Sequence, residues 1–129
     1  MAFKKPGPAD PEVTLLRKEQ GAWARLLGPG EAVTSVHRLG RTTLLFTTRR
    51  MILVEESATG RQVDYLSFPY RSITGFAVEA SGVFSDDADL RVWVAGRTAP
   101  VEVRFGPGTN VYEVQGLLAQ YCAAGHGSI

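Results

Sequence analysis

Val101-Glu102-Val103-Arg104-Phe105 alternates apolar and charged side chains without a break. A strand sends successive side chains to opposite faces, so this run has one apolar side and one charged side. It predicts an antiparallel strand with one face on a core and the other in water. Upstream, Leu90, Val92 and Val94 alternate against Arg91 and Trp93 in the same way. Further back, the period of two predicts strands at 31–38, 42–47, 50–56, 62–68, 73–80 and 89–95, which with 101–105 makes seven. The connections are short and carry Gly40, Gly60, Gly82 and Gly96, as hairpins require. Short strands at this spacing predict a sandwich or a small barrel.

Outside the strands the period changes to that of a helix. Asp10 suits an N-cap and Pro11 the first helical position. Leu16, Gln20, Trp23 and Leu27 then fall on one stripe, flanked by Val13 and Leu26, until Gly28-Pro29-Gly30 stops the helix. At the other end, Asn110 followed by Glu113 makes a variant of the capping box. Val111, Val114, Leu117, Leu118, Tyr121 and Cys122 share one face, and Gly125 marks a stop. That stripe has to be buried, and the open end of a curved sheet is the place for it. The organisation is therefore a flexible tail at 1–10, a helix at 11–28, a β-domain with its capping helix at 31–124, and a short tail at 125–129.

A chain of 129 residues fits one domain and buries enough surface to need no staples. With a single cysteine, Cys122, no intrachain disulfide and no Cys-based zinc site forms. Fourteen basic and 13 acidic residues leave a formal charge of +1, which gives no electrostatic case for nucleic acid. No apolar run reaches the roughly 20 residues that span a bilayer, and Met1 to Asp10 lacks the apolar stretch of a secretory signal. The expected location is cytoplasmic.

Leu44 to Gly96 resembles the bacterial pleckstrin-homology domains. The stretches that carry the likeness are Phe46-Thr47-Thr48-Arg49-Arg50-Met51-Ile52-Leu53-Val54, Thr59-Gly60-Arg61-Gln62-Val63-Asp64-Tyr65 and Phe68-Pro69-Tyr70-Arg71-Ser72-Ile73. Phe76-Ala77-Val78-Glu79, Asp87-Ala88-Asp89-Leu90-Arg91-Val92-Trp93 and Asn110-Val111-Tyr112-Glu113-Val114-Gln115 continue it, so that the likeness covers about 31–124. The resemblance implies a mainly β fold: a seven-stranded antiparallel barrel, a C-terminal helix capping one end and a short helix ahead of the barrel. It also implies assembly through the sheets into ring-like homo-oligomers, with no cofactor and no established ligand.

The expected partner is therefore a second copy of the chain, with another protein or peripheral membrane contact left open. Trp93 points away from Leu90, Val92 and Val94, and an outward Trp marks an interface. The alternative is that it lies beneath the first helix, whose Trp23 and Leu27 also need cover. Trp93, Trp23, Leu27 and Tyr65 are the interface candidates. A different reading is an anionic ligand, such as a lipid head group, held by Arg38, Arg41, Arg49 and Arg50. Against it, the hairpin at His37-Arg38-Leu39-Gly40-Arg41-Thr42 is short and lacks a lysine-rich loop, and the bland alternative is a solvated or salt-bridged barrel end facing Glu55 and Glu56.

Enzymatic chemistry finds little to use. His37 sits in a strand, His126 in a Gly-rich tail, and Cys122 on the apolar face of the last helix, so no triad assembles. Asp86, Asp87 and Asp89 read as an acidic surface turn, since the loop glycine and distal Glu of a calcium-binding loop are missing. Phe105-Gly106-Pro107-Gly108-Thr109-Asn110 leads into a helix N-terminus, but without the Lys-Ser/Thr ending of a nucleotide loop it reads as a turn feeding a cap.

Overall fold

The structure is a computed structural model that describes residues 11–80 and 87–125. Asp10, Gly82, Asp86, His126, the expected tail at 1–10 and residues 126–129 of the expected tail at 125–129 lie outside the described residues, as do the side chains of Val13 and Leu16, while Gly125 closes the last helix. The elements run α1 (Pro11–Ala22), a 3-10 turn (Ala24–Leu26), β1 (Val33–Leu39), β2 (Thr42–Thr47), β3 (Arg50–Glu56), β4 (Val63–Pro69), a second 3-10 turn (Tyr70–Ser72), β5 (Ile73–Ala80), β6 (Ala88–Val94), β7 (Val101–Phe105) and α2 (Val111–Gly125). All seven expected strands form, within two residues of the expected bounds. They divide into two antiparallel sheets, ordered β1-β2-β3-β4 and β5-β6-β7. No ladder joins the sheets among the described residues, so the expected barrel is an open two-sheet sandwich of the same strands.

Alternation decides what each sheet buries. In β2 and β3, Leu44, Phe46, Met51 and Leu53 face the second sheet, while Leu45, Ile52 and Val54 face away, and all seven are buried. The inner set joins Leu90, Val92, Val103 and Phe105 in the main core, closed at one end by Val111, Val114, Leu118 and Cys122 of α2. Asn110 caps α2 as expected, its Oδ1 accepting from the Glu113 amide at 3.1 Å. Burying one such Leu or Val contributes about 1.5–3 kcal/mol, so the α2 stripe alone explains the docking of the helix.

The outer set needs its own cover, and the first helix supplies it. Trp23, Leu26 and Leu27 pack on Val33, Leu45, Ile52 and Val54. The expected single helix at 11–28 is therefore two pieces. Its last α-type hydrogen bond is Trp23 N to Glu19 O, and the chain then tightens, with Leu26 N bonding Trp23 O. Pro29 excludes the helical conformation from the residue before it, so the helix cannot run on. Tightening also turns the two leucines onto the sheet. No helix among the described residues is long and apolar enough to cross a membrane.

Candidate functional site

Strand register decides whether the arginines converge. Leu39 pairs with Thr42, leaving Gly40 and Arg41 as the tip of the first hairpin, and Gly40 takes the positive φ of 70° that the turn needs. Arg38 and Arg41 thus lie at one end of β2. Arg49 lies at the other, in the turn that follows Thr47, and Arg50 opens β3 there. The length of β2, about 20 Å at some 3.3 Å per residue, separates the two pairs. The four arginines expected to act together therefore do not form one cluster.

Two of the four are already engaged. Arg38 Nη2 donates to both oxygens of Glu19, at 2.9 and 3.0 Å. Glu19 also accepts from Trp23 Nε1 at 2.9 Å, and Gln20 bonds both the amide and the carbonyl of Val33. These contacts fix α1 on β1. Glu55 and Glu56 sit at the Arg41 end of the sheet, where Arg41 O accepts from the Glu56 amide.

Arg50 belongs to a buried knot. Its Nε reaches Glu31 Oε2 at 2.9 Å and its Nη2 reaches Oε1 at 3.0 Å, while Nη1 donates to Ser67 Oγ at 2.8 Å and Nη2 also to Leu26 O. Thr47 Oγ1 donates to Glu31 Oε2 at 2.6 Å and accepts from the Arg49 and Arg50 amides. Gly28 N supplies a further bond to Glu31 at 2.9 Å. With a side chain only 2% exposed, Glu31 is stabilised as a carboxylate chiefly by Arg50 and then by Thr47 and Gly28. Against the opposing effect of burial, these hold its pKa down at about 2.

Above this knot opens a cleft of about 850 Å³. Leu26 and Leu27 form one wall, and Pro69, Tyr70 and Tyr121 another. The Tyr70 and Tyr121 rings stack at 4.7 Å. Their hydroxyls point elsewhere, Tyr70 to Thr47 O at 2.5 Å and Tyr121 to Thr34 Oγ1 at 2.9 Å, so they give the cleft ring surface. Arg49 and Arg71 line it too. Arg71 was not singled out from the sequence. The pairing of Arg50 with Pro69 is what returns the chain to this end of the sheet, so the register of the β3–β4 hairpin is the signal that would have found it.

The interface candidates part company. Trp23 and Leu27 are half-buried against their own sheet. Trp93 is 40% exposed on β6, on the outer face of the other sheet, and so does not lie under the first helix. Its indole lies over Gly75, where an added Cβ would meet Cε3 at 3.9 Å. Beyond it the same face is a charge ladder, with Arg91 between Glu79 and Glu102, and Arg104 beside Asp89. Tyr65, 52% exposed, sits opposite Val54 on β4, an edge strand of the first sheet.

His37 is held in the inner side of β1, its Nε2 2.6 Å from Ser35 Oγ and its ring edge-on to Phe46. Burial pushes its pKa below the ordinary value, with Glu113 opposing. No group of three His, Cys, Asp or Glu side chains among the described residues is placed to hold a metal ion.

Residues 12–122 match the family model described as Bacterial PH domain. The chain is 37% identical over 101 residues to the uncharacterized protein YjqA of Bacillus subtilis strain 168, covering 77% of this chain and 81% of that one. It is 28% identical over 96 residues to a second uncharacterized protein of that organism, YozO, covering 74% and 82%. Among solved structures it resembles a pleckstrin homology domain from Shewanella amazonensis SB2B, with a TM-score of 0.75 and 33% identity over 84% of this chain and 98% of that chain. A DUF1696-family protein with a pleckstrin-homology domain from Shewanella loihica PV-4 gives a TM-score of 0.73 and 32% identity, over 83% and 92%. With the family match at residues 12–122 enclosing both sheets and the body of α2, the chain belongs to the bacterial PH domain family.

Proposed function

We propose that this domain is a non-enzymatic interaction module that assembles with copies of itself through the outer faces and free edges of its sheets. The observation that carries the reading is the placement of two exposed aromatics. Tyr65 lies on the outer face of the first sheet, at its β4 edge, and Trp93 on the outer face of the second. Large aromatic side chains in water are natural interface anchors, since they bury much area at little entropic cost. Because the two patches differ and sit on different sheets, a contact between them is head-to-tail rather than self-complementary. Such contacts generate rings when the rotation closes. The outer edge of β4, a strand of seven residues, has no strand beside it among the described residues and is an edge that pairing between subunits would cover. Sedimentation velocity on the wild type, Trp93→Ala and Tyr65→Ala tests this: an assembly that loses mass in both variants supports head-to-tail contact, and variants that sediment as the wild type contradict it.

A further inference from the structure

We propose that the cleft above the Glu31–Arg50 knot binds an amphiphilic anion: a carboxylate or phosphate group carried on an apolar body. The proposal goes beyond self-assembly and does not depend on it.

The donors in the cleft decide the ligand. Arg50 spends its nitrogens on Glu31, Ser67 and Leu26, and Glu31 accepts from Arg50, Thr47 and Gly28. Both tyrosine hydroxyls are committed away from the opening. Arg49 and Arg71 are different. Both are exposed, and neither side chain has an ion-pair or hydrogen-bond partner among the described residues. The lining holds three arginines against one glutamate, an excess of two positive charges in a chain whose formal charge is only +1. Two free guanidiniums at one opening are donors suited to a carboxylate or phosphate.

Arg49 also lies beside the backbone of Gly28 and Gly30. An added Cβ on Gly28 would meet its Nη1 at 3.4 Å, and one on Gly30 would meet Nη2 at 3.3 Å. The guanidinium thus rests on a backbone without side chains. Gly30 needs its glycine for a φ of 76°, whereas an added Cβ at Gly28 would make only an ordinary contact with the end of Arg49. The remaining walls, from Leu26, Leu27, Pro69 and Tyr121, are apolar and offer a ligand surface rather than hydrogen bonds. A space of about 850 Å³ lies within the usual range for small-molecule sites.

The test uses the full chain and four probes: decyl phosphate and decanoate below their micelle concentrations, decanol, and inorganic phosphate. Affinity is read by calorimetry and location by amide chemical shifts. We expect both alkyl anions to bind at least tenfold more tightly than decanol or inorganic phosphate, shifting Leu26, Arg49, Arg71 and Tyr121. The double variant Arg49→Ala/Arg71→Ala should lose at least tenfold in affinity with an unchanged melting temperature, because both side chains are exposed. Arg41→Ala, at the far end of β2 and outside the cleft, should bind as the wild type. Sedimentation with phosphatidylglycerol vesicles separates the sources. Co-sedimentation lost in the Arg49/Arg71 double variant assigns the anion to a bilayer, and decyl phosphate binding without co-sedimentation assigns it to a free molecule. Equal binding of decanol and decyl phosphate, no binding of any probe, or an unchanged affinity in the Arg49/Arg71 double variant overturns the proposal.

Discussion

Arg50 grips both carboxylate oxygens of Glu31 and, through the same guanidinium, holds Ser67 of β4 and the carbonyl of Leu26. One ion pair therefore joins the covering segment to the first sheet. Breaking a buried pair costs about 3–5 kcal/mol, because a charge is left without compensation. The two partners should not be equivalent. Glu31 has a side chain 2% exposed and Arg50 one 24% exposed, so Arg50→Ala strands the more deeply buried charge. Urea unfolding should rank Arg50→Ala below Glu31→Gln, both well below wild type. The reverse order would mean that Leu26 and Ser67 matter less than assumed.

The same pair makes a pH prediction. The folded pKa of Glu31, about 2, lies below its ordinary 4.5. A depressed carboxylate contributes stability that is fully present above the ordinary value and is lost as pH falls through the folded one. The stability gap between wild type and Glu31→Gln should therefore be widest above about pH 5 and shrink between about 4.5 and about 2, as followed by urea midpoints across that range. A gap that stays constant down to pH 2 would mean that Glu31 is not held as an ion.

Leu118 and Tyr112 share α2 but not its environment, Leu118 being fully buried and Tyr112 66% exposed. Leu118→Ala should cost about 2–5 kcal/mol, and Tyr112→Ala should stay within about 0.5 kcal/mol. Calorimetric melting of the two variants distinguishes a capping helix from a loosely attached one.

Cys122 lies on the buried face of α2, and burial pushes its thiol pKa up. The thiolate is the reactive form, so alkylation by iodoacetamide at pH 8 should be slow in the native protein and fast in denaturant. Fast native labelling would mean that α2 opens readily.

How legible all this was in the sequence depended on range. The alternation in Val101 to Phe105 specified β7 because one face meets Leu90 and Val92 while the other meets water. The α2 stripe was equally plain, for Val111, Val114, Leu118 and Cys122 are spaced by the helix itself. The break at Trp23 was not legible, because it arises from the demand of Leu45 and Ile52, far along the chain, for cover. The arginines failed for the same reason. Arg38, Arg41, Arg49 and Arg50 are close in sequence, but a strand's length holds them apart, whereas Arg49 and Arg71 line one cleft through the β3–β4 hairpin. Glu19, which ties Trp23 to Arg38, was not legible because its role depends on β1, 19 residues along the chain, lying against the helix.

The central claim is self-association, and the molar mass of the wild type in solution tests it most directly. Light scattering coupled to size exclusion, at low and high salt, would compare the mass with the 14.0 kDa of one chain. The account predicts a whole-number multiple of that mass that does not fall as salt rises, since the anchoring side chains Tyr65 and Trp93 are uncharged and salt screens only the charge ladder beside Trp93. A 14.0 kDa monomer at every concentration and salt would contradict it.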